Sequence, residues 1–355
     1  MKGRIIGVLV MLAVIAIGVA AYMEKRSQPE AITLKGFVGG EKTGFLDDEE
    51  VKKILLSRYG IVVDYSKAGS IEMATDETGD RDFLWPSSQA ALELYKSRAQ
   101  SPPPSSEIIF NSPIVLYSWD IVADALEKQD LATREGSFYM VTGFPKLIHL
   151  IMEKTKWADI GLGELYGALA IVPTDPAKSN SGFMFACLVA NTLHGDLVDE
   201  TSIDEVLPQL KAFFSRLGYL EHSSGDLFEQ YLRTGVGAKP IIAGYENQIV
   251  EFSLEHKDVW NAVKDKIRIL YPVPTVWSAH PLIALNERGV RLVKALQDKE
   301  IQELAWRKHG FRTGLMGVQN DPSVLSITGI PGSIGKVVPL PGPRVVEKII
   351  QALQQ

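Results

Sequence analysis

The sequence predicts an α/β protein built from two globular domains. Its 355 residues correspond to two domains at about 100–200 residues each. Short apolar segments alternate with amphipathic ones, which is the pattern of a parallel sheet covered by helices. The single cysteine, Cys187, excludes an intramolecular disulfide, and the sequence holds no Cys/His cluster for structural zinc. The fold therefore has to rest on its hydrophobic cores.

The apolar N-terminal segment indicates that this end of the chain enters a membrane. Lys2 and Arg4 precede an uncharged run at residues 5–23, which would reach roughly 28 Å as a helix, close to the thickness of a bilayer core. Residues 1–30 are thus expected to be a signal peptide or a membrane anchor. An uncleaved anchor is favoured over a cleaved signal, because no clear A-x-A site precedes Glu24. A buried core helix is the third alternative.

The charge of the chain argues against a nucleic-acid partner. The formal net charge is −6, and the part beyond residue 30 is more acidic still, because the first thirty residues carry a basic excess. A surface that follows nucleic-acid phosphates needs an excess of lysine and arginine.

The first hundred residues alternate between predicted strands and helices. Asp47 and Asp48 are placed to cap a helix start, and Gly60 to end that helix. The elements are strands at 31–38, 61–65 and 81–84 and helices at 47–60 and 88–99.

The rest of the chain repeats this pattern after a proline-rich loop at residues 101–106. The strand predicted at 108–117 is apolar enough to be buried, and a proline pair at 272–274 breaks a later one. The further strands are at 167–172, 239–243, 267–271 and 282–285, and the helices at 119–128, 144–156, 182–193, 203–217, 225–234, 287–296, 299–309 and 344–355.

The motifs typical of catalysis or cofactor binding are incomplete in this sequence. Residues 36–43 fit the phosphate-loop spacing G-x-x-x-x-G-K-[ST], except that Glu41 stands where glycine is needed. What remains is either a ligand-holding turn with the Thr43 hydroxyl or a plain connecting turn. The six histidines lack ligand spacing, and Cys187 lies in an apolar run. No metal, no cofactor and no enzymatic activity are therefore expected.

The stretch at residues 172–183 is the most informative of the chain, because it joins a predicted strand to a predicted helix. Hydroxyl groups and free backbone amides at a helix N-terminus bind a carboxylate or an oxyanion. Helix capping would explain one serine of this stretch. It does not require Thr174, Asp175, Ser179 and Ser181 together.

Several short motifs, taken in order, carry a family resemblance. They are Lys42-Thr43-Gly44-Phe45, Trp85-Pro86-Ser87-Ser88, the segment 174–182, Gly244-Tyr245-Glu246-Asn247-Gln248 and the segment 271–281. Together they resemble bacterial extracellular solute-binding proteins of the type II periplasmic-binding fold, closest to the branch of molybdate and related oxyanion binders. The likeness covers about residues 31–312.

The resemblance implies two lobes, each a mixed sheet flanked by helices, that follow one N-terminal hydrophobic helix. Lobe one would comprise residues 31–112 and 278–355, and lobe two residues 119–270. The hinge crossings would be at 113–118 and 271–277. The resemblance also implies a set of side chains that face the cleft between the lobes: Thr43, Ser70, Ser87, Ser88, Thr174, Ser179, Ser181 and Tyr245.

The function that the resemblance implies is non-catalytic binding of a small polar solute by hinge closure. The solute would be delivered to the permease of an ABC-type importer, in the periplasm or at the cell exterior, with residues 5–23 as a tether to the membrane. An oxyanion or carboxylate is favoured, and Trp85, Trp119 and Trp277 leave a sugar open. The alternatives are a membrane-tethered ligand sensor or scaffold domain and, less favoured, an enzyme on the same fold.

Overall fold

The structure is a computed structural model that describes Met11 and residues 30–354. Apart from Met11, the segment predicted to enter a membrane lies outside the described residues. Among the described residues, no helix combines the length and the apolar character needed to cross a bilayer.

The strands of the described chain form one mixed, ten-stranded sheet with the path β2-β1-β3-β9-β4-β8-β6-β5, and β7 and β10 both pair with β4. Their bounds are β1 Ile32–Val38, β2 Ile61–Lys67, β3 Phe83–Trp85, β4 Ser105–Trp119, β5 Thr133–Glu135, β6 Phe138–Val141, β7 Ile241–Tyr245, β8 Ile267–Pro272, β9 Trp277–Ala284 and β10 Arg312–Thr313.

Helices cover the faces of this sheet. Their bounds are α1 Thr43–Asp47, α2 Glu49–Tyr59, α3 Ser70–Thr75, α4 Gln89–Arg98, α5 Asp120–Lys128, α6 Phe144–Met152, α7 Asn180–His194, α8 Ile203–Phe214, α9 Ser224–Thr234, α10 Asn247–Glu255, α11 Lys257–Val263, α12 Glu287–Leu296, α13 Lys299–His309 and α14 Pro343–Leu353. Short 3₁₀ turns lie at Gly40–Lys42, Trp157–Ile160 and Pro322–Val324.

The long strand β4 belongs to both halves of the sheet. Its first part, up to Pro113, pairs antiparallel with β9. From Ile114 onward its partners are β7 and then β8. Proline has no amide hydrogen to donate to a strand ladder, so Pro113 lies where the set of partner strands changes. The chain returns through the segment between β8 and β9.

Two separate hydrophobic cores flank this change of partners, and they give the molecule its two lobes. One core joins β1, β3, the first part of β4 and the helices α2, α12 and α13. The other joins the second part of β4 to β6, β7 and β8 and to the helices α5 to α9.

The C-terminal segment packs into the second of these cores. Val345, Val346 and Ile349 of α14 are buried there, together with Ile327 and Ile330 of the preceding loop. The sequence placed residues 278–355 in the first lobe. These apolar side chains instead share a core with α7 and α8, because the amphipathic face of α14 covers those helices.

Local signals in the sequence located most element ends correctly. Asp48 accepts hydrogen bonds from the amides of Glu50 and Val51 at the start of α2, and Gly60 ends that helix in the left-handed conformation. The prediction of a strand at residues 167–172 is wrong, since only isolated bridges form, at Ala168 and Val172. Gly167 has a φ of 90°, which interrupts the extended backbone at the start of that run.

Two further differences between the predicted and the observed elements arise from residues with a positive φ and from strands that pair over a long distance in the sequence. The helix predicted at 144–156 ends at Met152, and Lys154 just beyond it has a φ of 62°. The hairpin of β5 and β6 was not predicted. It turns at Gly136, which has a φ of 62°, and its second strand pairs with β8 more than a hundred residues later.

A fully buried ion pair joins the two halves of the fold. Glu246 follows β7, and Arg312 lies in β10, which pairs with the first part of β4. Arg312 Nε donates to Glu246 Oε1 at 2.6 Å and Nη2 donates to Oε2 at 2.9 Å. The Tyr271 hydroxyl donates to the same carboxylate at 2.7 Å. The guanidinium also donates to the carbonyl oxygens of Pro331 and Gly332.

Replacing Arg312 by alanine should lower the free energy of unfolding by about 3–5 kcal/mol, because Glu246 would stay buried without a compensating charge. Urea denaturation of both proteins measures this. The matched control is Arg307→Ala, since Arg307 is exposed and lies 3.9 Å from Glu50. It should cost less than about 1 kcal/mol. Equal losses in the two variants would contradict the role assigned to the buried pair.

Candidate functional site

A cavity of about 570 Å³ lies between the two lobes. One wall is formed where β1, β2 and β3 end, and it includes Gly39, Lys67 and Ser87. The opposite wall contains the starts of α7 and α9, with Ser179 and Ser223. Ligands in open α/β sheets bind at the carboxyl ends of strands and beside helix N-termini, so this cavity is the candidate site.

Four of the eight predicted site residues line this cavity: Ser70, Ser87, Ser179 and Tyr245. The structure brings them together from α3, the end of β3, the start of α7 and the end of β7. Thr43, Ser88, Thr174 and Ser181 do not line it. A contact of any of the eight with a ligand stays a prediction.

Two of the residues outside the lining satisfy local backbone groups. The Thr43 hydroxyl donates to the carbonyl of Gly40 at 2.9 Å, within the turn that follows β1. The Ser88 hydroxyl accepts from the amide of Ala91 at 3.3 Å and caps α4. Both hydroxyls therefore serve the ends of these elements.

The hydroxyl groups near the start of α7 form a chain that runs from the cavity wall inward. Ser179 Oγ lies 3.2 Å from Ser181 Oγ, which in turn lies 2.8 Å from Thr174 Oγ1. A Cβ atom on Gly182 would lie 2.2 Å from the carbonyl oxygen of Thr174, so only glycine allows the helix to approach this closely. Thr174 and Ser181 thereby hold the helix start that presents Ser179.

Asn180 connects the two walls of the cavity. It is the first residue of α7, and its Nδ2 donates at 2.9 Å to the carbonyl oxygen of Ser87 across the cleft. The same nitrogen donates at 2.9 Å to the hydroxyl of Tyr245. The sequence did not single out Asn180, although it lies between the two predicted serines.

A buried polar cluster lies behind Ser87, and the sequence did not predict it. Lys42 Nζ donates to Glu41, to Ser87 Oγ at 2.9 Å, and approaches His280 Nδ1 at 3.2 Å. The Ser87 hydroxyl donates to the same Glu41 oxygen. Ser278 donates to the Ser87 carbonyl at 2.6 Å. The only sequence signals were the imperfect phosphate loop and the segment 271–281.

The protonation states of this cluster follow from burial and from the neighbouring charges. Burial would raise the pKa of Glu41, but the charge of Lys42 and the hydrogen bond with His280 outweigh it and hold that pKa well below its usual range. Burial and the charge of Lys42 lower the pKa of His280 to about 4. At neutral pH, Glu41 is therefore a carboxylate and His280 an uncharged ring.

The described residues do not form a metal-ligand cluster. Among residues 30–354, no group of three or more histidine, cysteine, aspartate or glutamate side chains is placed to hold a metal ion. Cys187 is buried in α7, and burial raises the pKa of its thiol.

Several solved structures that resemble this chain are solute-binding proteins. No protein-family model and no curated protein sequence matches the chain. The substrate-binding protein of an ABC transporter from Agrobacterium tumefaciens superposes with a TM-score of 0.56 at 13% identity, covering 93% of this chain and 95% of that one.

Two further neighbours extend the comparison. The apo ferric ion-binding protein A of Pasteurella haemolytica has a TM-score of 0.55 at 12% identity, with 91% and 96% of the two chains covered. The sulfate-binding protein SubI of Mycobacterium tuberculosis has a TM-score of 0.50 at 14% identity, with 83% and 89% covered. The chain therefore has the two-lobed fold of periplasmic and extracellular solute-binding proteins, which the sequence predicted.

The lowered pKa of His280 predicts a loss of stability in mild acid. The unfolded chain binds a proton at this residue near pH 6.5, whereas the folded protein does so only near pH 4. The free energy of unfolding should therefore fall as the pH falls through this window, by about 2 kcal/mol between pH 7 and pH 5.

Urea denaturation at the two pH values measures this loss. His280→Gln should remove that part of the pH dependence, whereas His194→Gln, at an exposed position, should keep it. An unchanged slope in His280→Gln would refute the assigned ionisation.

Proposed function

We propose that this chain is a non-catalytic, extracytoplasmic solute-binding protein that delivers its ligand to the permease of an ABC-type importer. The observation that carries the proposal is the cavity shared by both lobes, with Asn180 of one lobe bonded to Ser87 of the other. A solute held by both walls binds the closed form better than the open form. Binding therefore shifts the equilibrium toward closure.

The connections between the lobes suit a hinge. We assign the hinge to residues 113–118 of β4 and to residues 271–277, where the sheet changes its pairing. The chain crosses a third time after β10, since the loop before α14 packs into the second core. We accordingly place the C-terminal segment with the second lobe.

The fold neighbours support this class of function. One of them is the substrate-binding protein of an ABC transporter, and others bind ferric ion or sulfate. We also propose that the protein is located outside the cytoplasmic membrane and that residues 5–23 tether it to that membrane.

The oxyanion or carboxylate that the sequence predicted as the solute would be held by two helix starts at the cavity. The N-terminal ends of α7 and α9 present Ser179 and Ser223, and a helix N-terminus attracts negative charge. At α9 the Ser223 hydroxyl already accepts from the amide of Asp226. Glu41 stands at the same cavity as a carboxylate and opposes an anionic ligand.

Ligand binding is tested by thermal unfolding of the full chain with sulfate, carboxylates, sugars, amino acids, amines and ferric ion. A solute at 100 times its dissociation constant should add about 2.7 kcal/mol to the free energy of unfolding. Small-angle scattering should show a smaller radius of gyration with the same solute. The proposed function fails if no compound in the panel stabilises the protein.

Asn180→Ala should weaken the binding of the solute found in that panel about ten-fold, because the closed form loses its bond across the cleft to Ser87. Isothermal titration calorimetry measures the affinity. Asn261→Ala is the matched control, since Asn261 is exposed on α11 away from the cavity. Equal affinities for the two variants would argue against closure through Asn180.

A further inference from the structure

The cavity between the lobes is lined by more acidic than basic side chains. Of the described residues, two lysines line it, Lys67 and Lys178. The lining glutamates number five: Glu41, Glu72, Glu229, Glu251 and Glu255. Lys42 adds a positive charge behind Glu41 and still leaves the balance negative. A cleft with walls of one sign of charge concentrates solutes of the opposite sign.

Helix α10 presents three of the lining side chains on one face. Asn247, Glu251 and Glu255 are spaced by four residues and all line the cavity. Like charges at this spacing repel each other. Glu251 has a partner in His309 Nδ1 at 2.8 Å. Burial and the charge of Glu251 raise the pKa of Glu255, and the opposing effect of His256 and His309 is smaller.

Two buried polar atoms of the cavity lining lack a hydrogen-bond partner. Asn247 is fully buried, and its Nδ2 donates to no acceptor in the described chain. The Oδ1 of Asn180 is a buried acceptor without a donor there. Unsatisfied buried polar atoms are rare in native proteins, and each calls for an explanation such as a ligand. Here one atom requires an acceptor and the other a donor.

The carboxylate of Glu41 adds a second acceptor close to Asn180. Both residues bond to Ser87, Glu41 through the Ser87 hydroxyl and Asn180 through the Ser87 carbonyl. The bonds from Ser87 and Lys42 converge on Oε1 of Glu41. Glu41 itself lines the cavity, so its carboxylate is available to a donor there.

We propose that the cleft binds a small organic ammonium ion that also carries a hydrogen-bond acceptor. This proposal rests on the proposed function and names its solute class. The ammonium group lies against Glu41 and Asn180 Oδ1, and its charge is opposite in sign to the acidic excess of the lining. The acceptor of the solute takes the hydrogen bond from Asn247 Nδ2. An oxyanion would satisfy Asn247 and would leave Asn180 Oδ1 and Glu41 facing negative charge.

Calorimetric titration of the full chain separates the solute classes with four probes. Ethanolamine and L-lysine carry an ammonium group and an acceptor, ethylamine has the ammonium group alone, and sulfate is an oxyanion. We expect ethanolamine or L-lysine to bind at least about ten-fold more tightly than sulfate. We expect ethylamine to bind at least about three-fold more weakly than ethanolamine, because it cannot accept from Asn247.

Three other outcomes of this titration would contradict parts of the proposal. Tighter binding of sulfate than of all three amines would overturn the solute class and leave the proposed function standing. Equal affinities for ethanolamine and ethylamine would overturn the acceptor contact with Asn247. Binding of no probe here, together with no stabilising compound in the wider panel, would remove the proposed function as well.

Two variants of equal charge change test the acidic lining. Glu255→Gln should weaken the binding of the amine by about two- to five-fold. The urea unfolding curve of this variant should stay near that of the unchanged protein. The control is Glu127→Gln, which removes one exposed negative charge on α5 outside the cavity. Equal amine affinities in the two variants would refute a role for the charge of the lining.

Discussion

The buried pair of Glu246 and Arg312 is the constraint on which the arrangement of the two lobes depends. It lies between the two cores and holds the end of β7, the strand β10 and, through Tyr271, the end of β8. Removing one partner of such a pair costs about 3–5 kcal/mol, a large share of the stability of an ordinary domain. Any opening of the cleft must therefore leave this pair intact, so the lobes have to turn about a point close to it.

The same constraint positions one wall of the cleft. Tyr245 and Asn247 are the chain neighbours of Glu246, and both line the cavity. The fixed glutamate thus leaves little freedom to the side chains on either side of it, and the unpartnered Nδ2 of Asn247 cannot turn away to find solvent. On the opposite wall, Glu41 and Lys42 compensate each other in the same way. The polar groups of the site are thereby held in place before a solute arrives, which lowers the entropic cost of binding.

Local chemistry made much of the fold predictable, and long-range contacts account for what the sequence missed. Asp48 and Gly60 mark the ends of α2 through bonds to their own neighbours, and Ser88 at the start of α4 follows the same rule. The cluster of Glu41, Lys42 and His280 joins residues 238 positions apart, and no spacing rule reports such a pair. The packing of α14 against the second lobe depends likewise on which apolar helix faces remain uncovered after the two halves of the sheet have formed.

Long-range contacts of this kind also change the sign of charge that is expected for the ligand. Serines and amides at helix starts indicated an anion, and a helix N-terminus offers an effective charge of only about half a unit. The folded chain sets whole carboxylates against two such helix starts, and the buried charge of Lys42 is already used by Glu41. Because full charges outweigh partial ones, the excess of carboxylates is the basis on which we propose a cation as the solute. In this proposal the hydroxyl groups at the helix starts are neutral hydrogen-bonding partners of the solute, and the glutamates select the sign of its charge.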